Sequence, residues 1–297
     1  MVSVVSSSKN VERLSGKALC DACIHFFQSG SSLQCISHSH IILVPKKDNP
    51  GTIADFRPIF LLNVPLKVIT KLMADRLQLC ITKLVHDNQY DFIKSRTIQD
   101  YLAWTFEYLH QCKQSKRQFV IINLDFEKAF DTIEHSFILN MLRSISFPDQ
   151  WVNWTCSVLS SETLAVILNG VPGRQFACKR GVRQGDPLSP LLFVLASELL
   201  RILVNKAMHM GILNKPVGHN DMDFPIVQYA DDTILVMQAD AAQLFFLKCL
   251  LHSFAETTGL RVNYAKSMIL PINVQPKAME VLARTFGYTI GSFHFTT

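Results

Sequence analysis

Two adjacent aspartates, Asp231 and Asp232, lie between the apolar stretches 226–230 and 233–237. Because both stretches are rich in β-branched residues and the acidic segment is short, the pattern predicts a β-hairpin with carboxylates at its tip. Two negative charges about 4 Å apart repel by roughly 1 kcal/mol in water and about 4 kcal/mol at an effective dielectric near 20, so a cation is the expected partner. The alternative is an exposed acidic turn without a ligand, which is the commoner use of an isolated Asp-Asp pair.

A third aspartate, Asp125, directly follows the apolar run 119–124, which is typical of a buried central strand. Asp125 and Asp231 are 231 − 125 = 106 residues apart, so only tertiary folding can bring them together. Asp131, followed three residues later by Glu134, is interpreted instead as the cap of the next helix. Two carboxylates delivered by distant strands suggest a two-metal site for in-line phosphoryl transfer.

Basic side chains occur in two places where a phosphate could bind. Lys46, with Lys47 beside it, follows a predicted strand, and Arg57 lies on the extended segment that returns from it. Such a hairpin resembles a clamp for a phosphorylated ligand, although ordinary surface ion pairing is the alternative. Lys94 and Arg96 lie in a loop between two predicted helices, where contact with a nucleic-acid backbone and a solvated basic face explain them equally well.

A glycine-containing loop, 181–190, ends in Ser189-Pro190, which is a strong signal for the start of a helix. The remaining periodicities predict helices over 15–28, 64–84, 98–109, 191–207 and 241–257, and strands over 41–44, 163–168 and 175–179. A turn and strand are expected over 259–267, where they carry Lys266. Without internal repeats or a low-complexity linker, the pattern indicates one continuous α+β body.

Composition excludes a disordered chain, because 48% of the 297 residues are hydrophobic and 18% are charged. The formal charge of 29 − 24 = +5 is compatible with a polyanionic partner but is weak support without a motif. We find no secretory signal, and the longest apolar stretch, 191–204, is too short to cross a bilayer. The sequence therefore predicts a soluble, intracellular protein without a membrane partner.

Eight cysteines are scattered through apolar segments and are predicted to be reduced core residues. Cys20, Cys23 and Cys35, together with His38 and His40, also resemble part of a zinc-ligand set. The helical spacing of the apolar residues around the first two cysteines favours an amphipathic helix instead.

The ordered set of motifs resembles the reverse transcriptases of non-LTR (LINE-type) retrotransposons, in the form familiar from plant genomes. The segments that carry the resemblance are 42–47, 55–59, 124–131, 181–190, 229–232, 258–260 and 266–267. The combination of Tyr-Ala-Asp-Asp at 229–232 with Arg-Gln-Gly-Asp-Pro-Leu-Ser-Pro at 183–190 is far more specific than either motif alone.

The resemblance implies an α+β right-hand polymerase fold and DNA synthesis on an RNA template, with a DNA primer and dNTPs as the other partners. The implied division is an N-terminal helical extension (1–40), fingers (41–118), a palm (119–270) with a fingers-side insertion around 132–180, and the start of a primer-grip region (271–297). A polymerase that uses chromosomal DNA as its primer would work in the nucleus.

The resemblance also implies roles for individual residues. Two Mg²⁺ ions, or Mn²⁺ in their place, would be bound by Asp125, Asp231 and the carbonyl of Phe126, with Asp232 as an auxiliary carboxylate and Lys266 as the proton donor to pyrophosphate. The nucleotide would be bound by Lys46, Arg57, Gln184 and Gly185, with Phe130 as the aromatic gate that excludes a ribose 2′-hydroxyl. Template or primer would be bound by Lys94, Arg96, Arg183 and Tyr229.

The sequence departs from the family pattern at Phe60, where a small residue is usual, and at Lys94-Ser95-Arg96, where Pro-Gly-Arg is common. The segment 291–297 resembles the entry to the primer grip, and the pattern leads us to expect a core without a thumb or a nuclease. Two alternatives therefore stand beside a reverse transcriptase. One is a catalytically silent retrotransposon relic that binds nucleic acid, and the other is an RNA-dependent RNA polymerase, which the bulk of Phe130 disfavours.

Overall fold

The computed structural model describes residues 2–30, 33–34, 36–217, 223–287 and 289–290. The helices are α1 (Val2–Ser29), α2 (Val64–Gln78), α3 (Ile81–Leu84), α4 (Ile98–Gln114), α5 (Ala129–Thr132), α6 (His135–Ser144), α7 (Asp149–Ser160), α8 (Ser189–His209), α9 (Ala241–Thr258) and α10 (Pro276–Phe286). The strands are β1 (His38–Pro45), β2 (Phe56–Leu61), β3 (Phe119–Leu124), β4 (Thr163–Leu168), β5 (Val171–Pro172), β6 (Phe176–Ala177), β7 (Ile226–Tyr229), β8 (Asp232–Gln238), β9 (Met268–Ile272) and β10 (Thr289–Ile290). Within these described ranges, no helix is long and apolar enough to cross a membrane.

The chain forms two compact units, each built from two separate stretches of sequence. The first unit comprises Met1–Arg76 and Ile138–Ser189, and the second comprises Leu77–Phe137 and Pro190–Thr297. The second half of the predicted fingers region thus groups with residues 119–137 and 190–270 of the predicted palm, whereas residues 138–189 belong to the first unit. The division into extension, fingers, palm and primer grip stays a prediction, and its segment 291–297 lies outside the described residues.

The first unit contains a sheet in the order β2-β1-β4-β5, with β6 also paired to β4. β1 runs antiparallel to β2, with Val44 opposite Arg57, and parallel to β4. This hairpin was predicted from the apolar run before Pro45 and from the polar turn that follows.

The second unit contains a sheet in the order β10-β9-β3-β8-β7. β3 lies at its centre and is antiparallel to both β8 and β9. Phe119, Val120, Ile122 and Leu124 of β3 have no exposed surface, which explains why this strand reads as a continuous apolar run. α4 packs its Tyr108 and Cys112 against Phe119 and Ile121 of the same strand.

Several elements differ from the sequence prediction. The helix predicted over 64–84 is divided into α2 and α3, because the N–H of Cys80 bonds the carbonyl of Leu77 and closes a tight turn there. Asp131 does not cap the helix over 135–144; it lies in the first turn of the separate short helix α5. The strand expected before Lys266 begins only after it, at Met268.

The cysteine prediction was only partly right. Cys23 and Cys112 are buried, whereas Cys20 and Cys249 are exposed, and Cys35 lies outside the described residues. Cys20 and Cys23 lie on α1, in the helix that their spacing predicted.

Candidate active site

The hairpin tip presents Asp231 at the end of two paired strands. Tyr229 of β7 lies opposite Asp232 of β8, so Ala230 and Asp231 form the two-residue turn between them. Ala230 adopts a φ of 53°, as primed hairpin turns require at their first central residue, and it is buried although it is not glycine. The two aspartates are therefore not equivalent, since Asp231 lies at the tip and Asp232 begins a strand.

Strand pairing brings Asp125 to the same end of the sheet. β3 pairs with β8 up to Leu124 opposite Thr233, so the next residues in register are Asp125 and Asp232. Partial burial, together with the negative charges of Asp231 and Asp125, raises the pKa of Asp232. The carboxylates of Asp125, Asp231 and Asp232 thus interact electrostatically, although Asp125 and Asp231 are 106 residues apart in the sequence.

The backbone of Asp125 is held by the turn before β9. The buried hydroxyl of Ser267 accepts the N–H of Asp125 at 3.0 Å, and the N–H of Asn263 donates to the Asp125 carbonyl at 2.8 Å. Glu127 N–H donates to the carbonyl of Arg261. These bonds flank an antiparallel bridge between Phe126 and Val262, so the N–H and C=O of Phe126 point away from that partner segment. Lys266, predicted as a proton donor, lies exposed in the same turn.

A loop segment that sequence reasoning did not single out extends the hairpin on its other side. Gln89 bridges to Gln228 of β7, because Tyr90 N–H donates to the Gln228 carbonyl at 3.0 Å and Gln228 N–H donates to the Asn88 carbonyl at 2.8 Å. The Tyr101 ring contacts both Tyr90 and Tyr229, with centroids 5.9 Å and 5.6 Å away. The hairpin turn that carries Asp231 is thereby supported by aromatic packing.

Asp91 adds a fourth carboxylate near the hairpin. Burial raises its pKa and the charge of Asp231 adds to this effect, whereas hydrogen bonds from the N–H of Phe92 and from Tyr229 oppose it. No periodicity or motif marked Asp91 in the sequence, since the loop was considered only for its cations. Tyr229, predicted to bind template or primer, is thus also a hydrogen-bond partner of Asp91.

Arg96 has a structural role in this arrangement, and its contact with template or primer stays a prediction. Its side chain is 9% exposed, and its guanidinium donates to the carbonyls of Val85, His86 and Gln89 and pairs with Asp87 at 3.1 Å. A guanidinium that satisfies three backbone carbonyls holds the loop in shape. Lys94 is exposed on the same loop, where its role stays a prediction.

Phe130, the predicted sugar gate, lies in α5 directly after the aspartate-bearing strand. Its ring stacks on Phe193 of α8, with centroids 4.9 Å apart and planes at 18°. The edge contact with Phe92 has centroids 6.5 Å apart at 79°. Two aromatic side chains from distant segments therefore confine this ring.

Within the first unit, the β1–β2 hairpin carries the predicted phosphate-binding cations. Lys46 N–H donates to the Asp55 carbonyl, and strand alternation places Lys46 and Arg57 on one face of the hairpin. Lys47 instead pairs with the Asp55 carboxylate at 2.8 Å. This pairing and backbone hydrogen bonds lower the pKa of Asp55 to about 2. Lys47 thus forms a surface ion pair, which was the alternative to a phosphate clamp. Lys46 and Arg57 stay candidates for binding a phosphate.

The glycine-containing loop of the first unit buries its arginine. Arg183, predicted to contact template or primer, is 3% exposed, and its Nε lies 3.1 Å from Glu162 without hydrogen-bond geometry. Asp186, also buried, lies 3.9 Å from the Arg183 guanidinium, and burial raises the pKa of both Glu162 and Asp186. Arg183 therefore lies inside the loop beside two buried carboxylates, and its contact with template or primer stays a prediction. Gly185 adopts a φ of 88°, a conformation that glycine tolerates at little cost.

The donor set at the hairpin fits a divalent ion that is completed by other ligands. Among the described residues, no group of three or more His, Cys, Asp or Glu side chains is arranged to hold a metal by itself. Mg²⁺, however, is usually bound through one or two carboxylates, water and substrate phosphates rather than by an all-protein cage. Asp125, Asp231 and the Phe126 carbonyl offer the hard oxygen ligands that such an ion needs.

Comparison with known proteins identifies the family. The profile described as "Reverse transcriptase (RNA-dependent DNA polymerase)" matches residues 44–285. This chain belongs to the reverse transcriptase family. The resemblance inferred from the motifs is thus confirmed, including its assignment to non-LTR retrotransposons.

Two curated relatives illustrate this similarity. The chain is 31% identical over 81% of its length to the transposon TX1 uncharacterized 149 kDa protein of Xenopus laevis, covering 18% of that protein. It is 26% identical over 77% of its length to the Pol polyprotein of the type-1 retrotransposable element R2 of Popillia japonica, covering 31% of it. This reverse transcriptase chain therefore spans less than a third of these two relatives.

A solved structure confirms the polymerase fold. Apo telomerase from Candida Tropicalis, truncated from its C-terminal domain, superposes with a TM-score of 0.54 at 13% identity, covering 84% of this chain and 52% of that one. The α+β fold expected for a reverse transcriptase is thus confirmed at the level of fold. Dependence on divalent metal ions is a general property of the family.

Proposed function

We propose that this chain is the catalytic core of an RNA-directed DNA polymerase that transfers nucleotides with two Mg²⁺ ions. The observation that carries the proposal is the β3–β8 register, which brings Asp125 to Asp231 and Asp232 at one end of a sheet. Membership of the family supplies the reaction class, and the carboxylates supply the ligands that this reaction needs.

In this proposal Asp125, Asp231 and the Phe126 carbonyl hold the ions, and Asp232 adjusts the local charge. The bound ions would lower the pKa of the primer 3′-hydroxyl and neutralise charge on the leaving pyrophosphate. Ser267 and Asn263 keep Asp125 in position through its backbone. Lys266 would give a proton to a pyrophosphate oxygen.

The other predicted residues are proposed to bind and select the nucleotide. Lys46 and Arg57 would hold the triphosphate, Arg as a forked donor and Lys as a point charge. Gln184 and Gly185 would lie against the incoming nucleotide, with an RNA template and a DNA primer as the other partners. Phe130 would exclude the ribose 2′-hydroxyl by its bulk, which is why we favour a DNA polymerase over an RNA polymerase.

Primer extension by the purified chain tests the proposal. The assay supplies an RNA template, a DNA primer, dNTPs and Mg²⁺, and it compares wild type with Asp231→Asn. We expect the variant to lose more than about 10³-fold in rate, because a metal ligand is lost together with its charge. Asp75→Asn is the matched control, since Asp75 is an exposed partner of Lys71 on α2.

Three outcomes separate the candidates. Extension that needs both Mg²⁺ and Asp231 supports the polymerase. Equal inactivity of wild type and Asp231→Asn, with template-primer binding retained in both, would reject it in favour of a silent nucleic-acid-binding relic. Preferential use of ribonucleotides would favour an RNA polymerase.

A further inference from the structure

Phe92 combines two features that are unusual for a phenylalanine. Its side chain is 38% exposed, and its φ is 59°, in the left-handed region that bulky residues rarely adopt. With more than a third of its surface exposed, Phe92 is not a core residue, so core packing alone does not account for the strained backbone. Strained backbone conformations of this kind persist where contacts with neighbouring groups hold the backbone in place.

Gln78 and Asp91 hold this backbone on both sides. Gln78 Nε2 donates to the Phe92 carbonyl at 2.5 Å, and Gln78 Oε1 accepts the N–H of Lys94 at 3.4 Å. The Asp91 carboxylate accepts the N–H of Phe92 at 2.9 Å. The Arg96 guanidinium stabilises the preceding part of the loop through its hydrogen bonds to three backbone carbonyls. The conformation of Phe92 is therefore imposed by its surroundings.

The imposed conformation directs the Phe92 ring against Phe130. Phe193 covers one face of Phe130 in near-parallel stacking and is itself fully buried, so it forms a fixed wall. Phe92 meets Phe130 at 79°, as an edge contact from the loop side. Edge-to-face and stacked pairs are both favourable aromatic geometries, and together they restrict rotation of the central ring.

We propose that Phe92 is a positioning residue that fixes the Phe130 ring and thereby sets discrimination between deoxyribonucleotides and ribonucleotides. The inference rests on the proposed polymerase function of the same site. Without the Phe92 ring, Phe130 can rotate away from the sugar, so the steric exclusion of a 2′-hydroxyl weakens. Incorporation of the correct dNTP depends less on this contact, because a deoxyribose has no 2′-hydroxyl to exclude.

Single-nucleotide incorporation opposite a template cytosine tests the inference, with kcat/KM measured separately for dGTP and GTP. For Phe92→Leu we expect the GTP-to-dGTP ratio to rise about 2- to 10-fold, with dGTP use changed less than about 2-fold. The expected change of about 2- to 10-fold corresponds to the interaction free energy of one aromatic pair, about 0.5 to 1.5 kcal/mol. The conversion uses about 1.4 kcal/mol for each tenfold change in a rate ratio. Phe92→Gly removes the ring and also relieves the backbone, so it should give the same ratio.

Phe106→Leu is the matched control, because Phe106 is 61% exposed on α4 and should leave the ratio unchanged. An unchanged ratio for both Phe92 variants in an active polymerase would overturn the inference. A rise in Phe92→Leu but not in Phe92→Gly would also overturn it, since both variants lack the ring and loss of the ring would then not explain the effect.

A double-mutant cycle separates this inference from the proposed function. The free energy of unfolding is measured for wild type, Phe92→Leu, Phe130→Leu and the double variant. We expect a coupling equivalent to about 2- to 10-fold in the unfolding constant. If wild type extends no primer, the proposed function fails. The cycle then decides whether Phe92 positions Phe130, and zero coupling would reject that role.

Discussion

Gly259 ends α9 in a conformation and a position that no other residue type can occupy without rearrangement. Its φ is 84°, and its N–H donates to the carbonyl of Ala255 at 2.8 Å. A Cβ built on Gly259 would lie 2.2 Å from the carbonyl oxygen of Thr132 and 3.3 Å from Cγ of Glu134. Gly259→Ala therefore creates both backbone strain and a clash with a second backbone segment.

The size of the effect follows from three contributions. The left-handed conformation costs an alanine about 1–2 kcal/mol. Relief of the 2.2 Å contact requires the segments to separate by more than an ångström, which breaks the 2.9 Å bond from Glu134 N–H to the Thr258 carbonyl, worth about 1 kcal/mol. Overpacking around the displaced segment adds about 1–3 kcal/mol. We therefore expect Gly259→Ala to destabilise the chain by about 3–6 kcal/mol.

Gly287 provides a matched control for the clash. It ends α10 with a φ of 81°, yet among the described residues a Cβ there would meet only Lys248 Nζ, at an ordinary contact distance of 3.6 Å. Gly287→Ala should therefore cost only the conformational term of about 1–2 kcal/mol. Urea unfolding of both variants measures the difference. If the two variants are destabilised within about 1 kcal/mol of each other, the close approach of Gly259 to Thr132 does not limit stability and the reasoning is refuted.

Two further predictions concern Phe130 and Arg183. Phe130→Val should relax discrimination against ribonucleotides in single-nucleotide incorporation, and unchanged discrimination would reject its role as a sugar gate. Arg183→Met should destabilise the chain by about 3–5 kcal/mol at pH 7 in urea unfolding, because Glu162 and Asp186 then stay buried without a cation. Since burial already raises the pKa of both carboxyls, their protonation at lower pH relieves the unpaired charge, so the loss should shrink on acidification. A loss that is equal at pH 7 and at pH 5 would contradict this account.

The strands that carry the candidate site were predictable because buried strands consist largely of apolar residues. The apolar run before Asp125 forms β3, and the two apolar stretches around Asp231 form β7 and β8. Register was not predictable in the same way, since neither strand specifies its partner 106 residues away. The pairing of Leu124 with Thr233, which aligns Asp125 with Asp232, is a property of the folded sheet.

The two arginines have contacts within the protein that their residue type did not reveal. Arg96 and Arg183 both belong to motifs that suggested contact with nucleic acid, yet one satisfies backbone carbonyls and the other lies among buried carboxylates. A guanidinium has five donors, so it suits an internal network as well as a phosphate. Sequence alone gives no exposure, and exposure decides between these two uses.

The contributions of Asp91 and Phe92, in the loop that was considered only for its cations, were missed for a different reason. This loop has no apolar periodicity, and its effect on the site comes from contacts with Gln228, Tyr229 and Phe130, which are distant in sequence. A hairpin that carries two carboxylates at its end has low stability by itself, because the like charges at the tip repel each other. The turn before β9 supports it through Asp125, and the loop supports it through β7. Substitutions in the turn before β9 or in the loop that pairs with β7 should therefore alter catalysis even where every carboxylate is kept. An acidic turn that folds independently of these segments would not show this effect.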